Sequence, residues 1–387
     1  MNFAFSPEEE AFRQEVAHFI AREITPEVFS PMGLLDTPAR QAFISKMVPK
    51  GWLSMGFPAE YGGTGEIMPL ARYMLNQELQ KAQAPHVGKN LGIIVNCLLL
   101  HGSEKLKQQL IPPTLRNEIQ WSLAYTEPEA GSDLANLQTR AVLDGDEYVV
   151  NGQKRFITSA HFGDYMWTAV RTDPTLPKHK GISILIIDGK APGMTITPMR
   201  MLNGEQTNEV FLDDVRVPKE RLMGELNKGW YYVAEALSYE RFTLTSSAGL
   251  VRRFGKLVNW VKQAKVDGKP LAQDPLARRQ IARLSVMVEM AWMLDLRCIC
   301  MAAKPDYVPS NEAAMNKAWG AIAETELSDV ALDLMGPDGY LWRDPEAPLE
   351  GDMASAYLMA GHIRVAAAGV DVAKNIIAKR YLGLPAS

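Results

Sequence analysis

The order of helix-like and strand-like segments limits what this chain can fold into more than any other feature of its sequence. Up to about residue 118, apolar residues recur at helical spacing, as at Phe12 and Val16. Near Ile119 the segments become short and rich in Val, Ile, Thr and Tyr, and turn dipeptides such as Asp144-Gly145 separate them. Beyond residue 225 the helical spacing returns in four long stretches, at about 229–266, 274–303, 310–335 and 351–380.

This order predicts a multidomain α+β fold with three parts. We expect an N-terminal all-α domain over residues 1–118, a central β-barrel or sandwich over 119–225, and a C-terminal four-helix bundle over 226–387. The Pro112-Pro113 pair is expected to stop the last helix of the first domain, because proline lacks a backbone N–H.

The composition is that of an ordinary globular protein and excludes several classes of partner. Hydrophobic residues make up 47% of the 387 residues and charged residues 22%, so the chain is not disordered as a whole. The formal net charge is −4 and no basic run occurs, so we expect no nucleic acid partner. The apolar region from Ile281 to Ala303 contains several charges, which indicates a buried helix and no membrane contact. Three cysteines, and a start without signal-peptide features, favour a reducing cytoplasm.

Several common catalytic motifs are missing from the sequence. No Gly-x-Gly-x-x-Gly follows a strand, and there is no P-loop, no His-Glu-x-x-His and no Gly-x-Ser-x-Gly. The six histidines are scattered, and Cys298 and Cys300 fall on different faces of a predicted helix. We therefore expect no metal site, and we interpret both cysteines as small buried residues.

Two motifs of the predicted β domain are far more specific. Residues 123–133 read Leu-Ala-Tyr-Thr-Glu-Pro-Glu-Ala-Gly-Ser-Asp, and residues 151–158 read Asn-Gly-Gln-Lys-Arg-Phe-Ile-Thr. With the Gly-rich element at 51–63, residues 213–218 and the C-terminal stretch 375–385, they resemble the acyl-CoA dehydrogenases over nearly the whole chain. The helix–sheet–helix order is also that of this family.

The resemblance implies a flavoenzyme of lipid metabolism, acting in fatty acid or steroid degradation. Members bind FAD between the β domain and the bundle. A carboxylate removes the α-proton of an acyl-CoA thioester while the β-hydrogen leaves as hydride to the flavin, and an electron-transfer flavoprotein accepts the electrons. The α-proton is only weakly acidic until the thioester carbonyl is polarised, so such a site needs hydrogen-bond donors and a positioned base.

The resemblance also implies which residues contact FAD. In the first motif Tyr125 and Thr126 match contacts to the pyrimidine edge of the flavin, and Gly131 allows the chain to approach closely. In the second motif Phe156 stands where the family usually has Trp, and Thr158 matches the hydroxyl donor near flavin N5. Without the motif, these last two would be interpreted as a core strand residue and its neighbour. The expected cofactor contacts are Leu123, Tyr125, Thr126, Gly131, Ser132, Phe156, Ile157 and Thr158, and Ser132 also contacts the substrate.

The catalytic base is expected at the less common of two places. The commonest Glu of the family lies in a C-terminal Tyr-Glu-Gly-Thr motif, but here Ala368 takes that position and only its backbone N–H can act on the substrate. In members resembling isovaleryl-CoA and long-chain dehydrogenases, the Glu precedes an Arg on an earlier helix. Glu240 and Arg241 match that pattern, so we predict Glu240 as the base and Ser238 and Arg241 as substrate contacts. A solvated Glu–Arg pair is the alternative interpretation.

The residues with which homotetrameric members hold the FAD diphosphate of a neighbouring subunit are missing. Their Arg-x-Thr-Phe-Gly motif is replaced by residues 264–268, which contain no Arg, and their Gln-Ile-x-Gly-Gly by residues 333–337. Val370 replaces a Thr. Asp333 is negative and Pro337 has no N–H, so both are poor diphosphate ligands. We therefore expect a tetramer of α2β2 type with a paralogous subunit. A homo-oligomer in which Lys262 or Lys265 replaces the missing Arg is the alternative.

Two other functions stay open at the level of sequence. An acyl-CoA oxidase or flavin monooxygenase of the same fold differs in how the reduced flavin meets oxygen. A non-catalytic partner subunit would only scaffold another chain, but Glu240 and the intact stretch from Thr126 to Ser132 argue against it. The subfamily resemblance favours bulky acyl groups, such as steroid side chains or cyclic groups.

Overall fold

The computed structural model describes residues 5–30, 33–65, 70–244, 247–302, 304, 307, 309–366 and 369–385, and for residues 238–244 it describes the backbone only. The chain divides into two compact units. One comprises Glu8–Leu79 and Gln83–Thr243, and the other comprises mainly the chain from Leu244 onward. The first unit contains the N-terminal helices, the large sheet and the helix that follows it, and the second contains the remaining helices.

In the part of the chain that the structure describes, five α-helices precede the sheet: α1 (Pro7–Glu23), α2 (Pro38–Ser45), α3 (Ala71–Lys81), α4 (Asn96–His101) and α5 (Glu104–Leu115). α1 begins with a proline, and three glutamates in its first turn complement the helix dipole. Its buried residues include Val16 and Phe19, as the helical spacing predicts, and Phe19 packs edge-on against Trp52 with ring centroids 5.2 Å apart. The apolar stretch before His101 begins with a π-helical turn at Asn90–Val95.

The Pro112-Pro113 pair does not stop α5, so that prediction is wrong. Both prolines lie inside the helix, which continues to Leu115. The carbonyls that lose their N–H partners belong to Gln108 and Gln109, and both of these residues are exposed, so water can satisfy that face. The Arg116 N–H donates to the Pro112 carbonyl at 3.1 Å and closes the last turn.

Eight strands of the described chain form one sheet. They are β1 (Trp121–Ala124), β2 (Arg140–Asp144), β3 (Glu147–Lys154), β4 (Tyr165–Arg171), β5 (Ile182–Asp188), β6 (Met194–Arg200), β7 (Gln206–Pro218) and β8 (Leu222–Met223). The order is β6-β7-β3-β2-β4-β5-β8, and β1 pairs with β4 in parallel. A tight turn with Gly145 at φ 63° joins β2 to β3, as the Asp-Gly dipeptide predicts.

The sheet is open, so the closed barrel is wrong. Among the described strands, the outermost ones, β6 and β8, do not pair with each other. Closure needs pairing along a free edge, and β8 is only two residues long. One apolar core nevertheless takes residues from both halves of the sheet, Val150 and Val215 from β3–β7 and Val170 and Ile187 from β4–β5. The two halves therefore fold over a common core, as in the sandwich form of the prediction.

After the sheet the described chain forms six α-helices: α6 (Gly229–Leu244), α7 (Ala248–Gln263), α8 (Pro275–Ala302), α9 (Ser310–Met335), α10 (Asp352–Val365) and α11 (Val370–Ile376). Only the two middle stretches of the predicted four are single helices. The first is divided at Ser247, whose N–H and hydroxyl both donate to the Asp295 carboxylate, at 3.1 and 2.9 Å. The last is divided at Gly369, which has an extended backbone with ψ 165°.

The helices of the second unit share an apolar core and a buried charge network. A short hairpin of β9 (Lys265–Val266) and β10 (Lys269–Pro270) connects α7 to α8.

The charge network connects α7 to α10 and α9. Arg252 and Arg253 both bind the carboxylate of Asp352, and Arg253 also contacts Glu324. None of the described helices combines the length and apolar character that crossing a membrane requires. The core is built from Leu257, Leu284, Leu327, Ala331 and Met353 among others.

Candidate active site

The first sequence motif lies where the chain leaves β1. This strand runs parallel to β4, with Leu123 opposite Trp167. Beyond the strand, Tyr125 is buried and Thr126 is half-buried. The Thr126 carbonyl accepts a hydrogen bond from the Arg155 N–H at 2.8 Å. The two motifs identified in the sequence are therefore joined directly, backbone to backbone.

A buried ion pair, which the sequence analysis missed, fixes this junction. Lys154 Nζ lies 2.7 Å from Glu127 Oε1, and the Lys154 side chain has no exposed surface. Lys154 also donates to the carbonyls of Tyr125, at 3.2 Å, and Ala169, at 2.7 Å. One ammonium group thus holds together the exit of β1, the end of β3 and the middle of β4. The available signal was strand alternation, since Lys154 falls on the same face of β3 as the buried Val150.

Hydrogen bonds to both side chains stabilise the charged forms of Lys154 and Glu127. Burial lowers the pKa of Lys154 to about 8, although the charge of Glu127 favours the protonated form. Burial by itself would raise the pKa of Glu127, but the charge and hydrogen bond of Lys154 outweigh it, and the net shift is downward. The Glu127 carboxylate also accepts from the N–H groups of Gln138, at 2.6 Å, and Thr139, at 3.0 Å. Both groups therefore keep their charge inside the protein.

Gly131 and Ser132 lie in the exposed part of the first motif. They follow a tight turn in which Glu127 and Ala130 exchange two backbone hydrogen bonds, of 3.1 and 3.2 Å. A Cβ added to Gly131 would meet no described atom within 4 Å. The chain itself therefore does not require glycine here. The open space on this side is what close approach of a ligand needs.

Phe156 combines a strained backbone with an exposed ring. Its φ is 61°, in the left-handed region that bulky residues avoid. Its exposed fraction is 57%, and the Arg155 guanidinium lies 5.3 Å from the centre of the ring. Neither burial nor conformational preference explains this arrangement, which makes Phe156 a candidate for a functional position. A ring presented in this way can pack flat against an aromatic ligand.

The residues after Phe156 are fixed on both sides. Ile157 is buried, and its N–H and carbonyl pair with the carbonyl and side-chain amide of Asn208, both at 2.8 Å. Ser159 has φ 70°, and its hydroxyl accepts a hydrogen bond from Lys89 at 3.0 Å. Thr158 lies between these two anchors and is half-buried. Its backbone is therefore held in place on both sides, and the residue keeps some exposed surface that a ligand can contact.

The residues predicted for catalysis and substrate binding lie on α6. The helix contains Ser238, Glu240 and Arg241, and their side chains lie outside the described residues. α6 itself is anchored to α4, because Glu235 Oε2 lies 2.5 Å from Nε2 of His101. The anchor precedes Glu240 by five positions on the same helix.

The segment 333–337, which the sequence analysis matched to a diphosphate motif, lies at the C-terminal end of α9. Asp333 is exposed in the last turn, and Pro337 is exposed just beyond it. A helix C-terminus bears partial negative charge, and burial and the charges of Glu326 and Asp333 raise the pKa of Asp329. This end of the helix therefore repels a diphosphate. Ala368, in the other altered segment, lies outside the described residues.

The described residues fit one part of FAD and not another. The exposed ring of Phe156, the open space at Gly131 and the half-buried Thr158, whose side chain carries a hydroxyl, suit a flat aromatic ring with polar edges. The acidic end of α9 does not suit the negatively charged diphosphate. The described residues around Phe156 therefore fit a flat aromatic ring, whereas the described end of α9 does not fit a diphosphate.

Comparison with family models assigns nearly the whole chain. Residues 6–118 match the N-terminal domain, residues 122–215 the middle domain and residues 227–382 the C-terminal domain of acyl-CoA dehydrogenases. The helical, sheet and helical parts of the fold follow the same order.

Individual relatives agree with this assignment. The chain is 34% identical over 337 residues, 86% of each chain, to acyl-CoA dehydrogenase FadE29 of Mycobacterium tuberculosis. It is 30% identical over 397 residues to FadE26 of the same organism, covering 100% of this chain and 99% of that one. Two solved structures cover 100% of both chains: the Tcur3481-Tcur3483 steroid ACAD, with TM-score 0.91 and 29% identity, and the ChsE4-ChsE5 complex from Mycobacterium tuberculosis, with TM-score 0.90 and 30% identity. This chain therefore belongs to the acyl-CoA dehydrogenase family, whose members are FAD-dependent oxidoreductases that act on acyl-CoA.

Proposed function

We propose that this chain oxidises the Cα–Cβ bond of a bulky acyl-CoA thioester, such as that of a steroid side chain, to the trans-2-enoyl-CoA. One observation carries the assignment of the site. The segments Tyr125–Thr126 and Arg155–Thr158 are hydrogen-bonded side by side, and Phe156 presents an exposed ring from a strained backbone next to them. The bulky acyl group is supported by the likeness to a steroid dehydrogenase over the full length of the chain.

The β domain serves to hold and orient the cofactor. FAD, when bound, accepts the β-hydrogen of the substrate as hydride. Phe156 packs against the ring, and the Thr158 hydroxyl donates a hydrogen bond to its edge. Lys154 and Glu127 keep the two contact segments together, which sets the position of these groups before the substrate arrives. The cofactor contacts we propose are Leu123, Tyr125, Thr126, Gly131, Ser132, Phe156, Ile157 and Thr158.

The proton is removed by α6. In our proposal the Glu240 carboxylate accepts the α-proton, and Ser238 and Arg241 contact the substrate together with Ser132. The backbone N–H at Ala368 donates to the thioester oxygen, where negative charge develops as the proton leaves. Two features of the sequence support this role. Ala368 stands where the family usually has the catalytic Glu, and the Glu240-Arg241 pair lies at the alternative place on the earlier helix.

The assembly that fits these residues is an α2β2 tetramer with a paralogous chain. This chain offers a flavin-ring site but an acidic helix end where a diphosphate ligand is needed. A paralogous partner with an Arg and a Gln-Gly-Gly turn supplies what is missing. We further propose domain boundaries near residues 118 and 225, and an electron-transfer flavoprotein as the electron acceptor. We also propose a cytoplasmic location, because the three cysteines of the chain are free.

Anaerobic titration tests the function. The chain, purified with its co-expressed partner, is mixed under nitrogen with a steroid side-chain acyl-CoA or with a straight-chain acyl-CoA. We expect the steroid thioester to bleach the visible flavin absorbance faster, and an electron-transfer flavoprotein to restore it. Absence of bleaching by any acyl-CoA contradicts the proposal. Rapid oxygen consumption without an added acceptor would instead identify an oxidase.

A further inference from the structure

One face of α8 is apolar and uncovered. The opposite face of this helix packs into the bundle core through residues such as Leu284 and Ala291. On the uncovered face, Val286 is 61% exposed, Met290 43% and Met293 38%. These residues line a groove of about 620 Å³ that runs from Ser285 to Arg297. A continuous stripe of flexible apolar side chains of this kind is typical of an interaction surface.

The charges on this stripe are placed symmetrically about Met293. Glu289 lies four positions before it and Arg297 four positions after it, and both line the same groove. Glu289 is exposed and forms no ion pair with any described residue. Arg297 is only partly engaged, with Nη2 3.8 Å from Oε1 of the buried Glu312, and 36% of its side chain is exposed. One acid and one base are thus left at equal distances from a central methionine.

We propose that α8 packs antiparallel against α8 of a second copy of this chain, with the two-fold axis at Met293. In this arrangement each residue faces the one at the same distance on the other side of Met293. Arg297 of one copy then lies opposite Glu289 of the other, and the symmetry forms this pair twice. The Met293 side chains meet on the axis, and the neighbouring apolar residues of the stripe cover each other.

The charge pattern selects a second copy as the occupant of the groove. A parallel contact would place Glu289 against Glu289 and Arg297 against Arg297, which is unfavourable. A different protein would need only complementary charges and no symmetry about one residue, whereas a self-complementary stripe matches itself. The contact does not depend on the proposed reaction, and it is compatible with an α2β2 tetramer, which contains two copies of this chain.

Cross-linking tests the geometry. Met293→Cys and Leu276→Cys are made in the full chain, purified with its partner and treated with a short bis-maleimide. Leu276 is 70% exposed on the same helix but 17 residues from Met293, so its copies lie about 51 Å apart at 1.5 Å per residue. We expect covalent dimers of this chain with Met293→Cys only. The arrangement is overturned if Met293→Cys gives no covalent dimer, or if Leu276→Cys gives as much dimer as Met293→Cys.

Charge reversal tests the pairing by a second route. Glu289→Arg places a cation opposite Arg297 of the other copy, and the symmetry repeats this repulsion twice, so we expect the association between copies to weaken about tenfold or more. Glu346→Arg, at another exposed glutamate of the same unit, is the control, and we expect it to leave the association between copies unchanged. Native mass as a function of concentration is the readout, and the rate of flavin bleaching is measured in parallel. An unaltered native mass in Glu289→Arg contradicts the proposal, whatever the activity.

Discussion

At the scale of single residues, Phe156 has a conformation that the free chain does not favour. A φ of 61° is uncommon for a residue with a bulky side chain and costs on the order of 1–2 kcal/mol. The ring is largely exposed, so its burial does not offset this cost in the absence of a ligand. The strain is therefore explained if FAD covers the ring.

Two substitutions at Phe156 separate strain from binding. Glycine tolerates a positive φ and alanine does not, so Phe156→Gly is expected to be about 1 kcal/mol more stable than Phe156→Ala in denaturant unfolding of the apoprotein. Both variants lose the ring and are expected to bind FAD at least tenfold more weakly. Gln83→Gly, at another residue with positive φ of 52°, is the control that leaves FAD affinity unchanged. FAD affinity at the wild-type level in both Phe156 variants would mean that the ring does not contact the cofactor.

Lys154 is the residue on which the junction of the two motifs depends. Lys154→Met removes one partner of a buried pair and leaves the Glu127 charge uncompensated, so we expect a loss of about 3–5 kcal/mol in the free energy of unfolding. Adding Glu127→Gln should recover part of this loss. Lys178→Met is the matched control, because the Lys178–Asp133 pair is exposed and worth about 1 kcal/mol or less. Equal effects of the two single substitutions would contradict the role of the buried pair.

Some of these residues could be predicted from the sequence and others could not. The motifs identify Tyr125, Phe156 and Thr158 as a group, because their order and spacing are specific to the family. The strain at Phe156 is not visible in a sequence, because it depends on backbone angles set by neighbouring contacts. The partner of Lys154 could not be predicted either, since Glu127 lies 27 positions away and only the fold brings them together.

At the scale of elements, the charge network between α7 and α10 stabilises the second unit. Burial would raise the pKa of Asp352, but a hydrogen bond from Arg252 and the charges of Arg253, Arg252 and Lys256 lower it to about 2. The side chain is only 10% exposed, so solvent screens these interactions little. The folded protein therefore stabilises the ionised form of the Asp352 carboxyl group relative to the protonated form.

The pH dependence of stability follows from the direction of this shift. The folded pKa of Asp352 lies below its ordinary value of 3.8, so its contribution is present above about pH 4 and is lost as the pH falls toward 2. The difference corresponds to about 2 kcal/mol. We expect Asp352→Asn to be less stable at neutral pH, because Arg252, Arg253 and Lys256 lose the carboxylate that they share, and to show a shallower decline between pH 4 and 2. Denaturant unfolding across this range measures both.

A control keeps this prediction specific. Asp146→Asn removes a carboxylate that is 84% exposed and paired with Lys219, and its stability curve should run parallel to that of the wild type. If Asp352→Asn has the same acid dependence as the wild type, the network does not titrate in this range.

The elements were predicted better than their ends. Periodicity identifies α1, α8 and α9, all of which are long. The first two bury one face, whereas α9 buries residues around most of its circumference. Periodicity fails at Pro112-Pro113, where exposure of the helix surface decides whether proline is tolerated. It also fails before α7, because α6 ends at Leu244 and α7 begins at Ala248, and Ser247 between them donates to the distant Asp295. The sequence did not decide between a closed barrel and an open sandwich, because whether β6 and β8 pair depends on the whole fold.

At the scale of the whole molecule, flavin content reports the assembly. Expressed alone, the chain is expected to retain little FAD, because the acidic end of α9 does not bind a diphosphate. With a paralogous partner, we expect an α2β2 tetramer with about one FAD per pair of chains. Native mass and the ratio of flavin to protein measure this. A stable tetramer of this chain alone, with one tightly bound FAD per subunit and full activity, would show that other residues hold the phosphates.

The most direct test of the account is anaerobic flavin reduction by Glu240→Gln. The substitution keeps the size of the side chain and removes its basicity, and loss of a general base typically slows a reaction by about 10²–10⁴-fold. The variant is purified as the holoenzyme with its partner and mixed with the acyl-CoA that reduces the wild type fastest. We predict a normal flavin spectrum and a rate of bleaching reduced by at least a hundredfold. Bleaching at a rate close to that of the wild type would show that Glu240 is not the base.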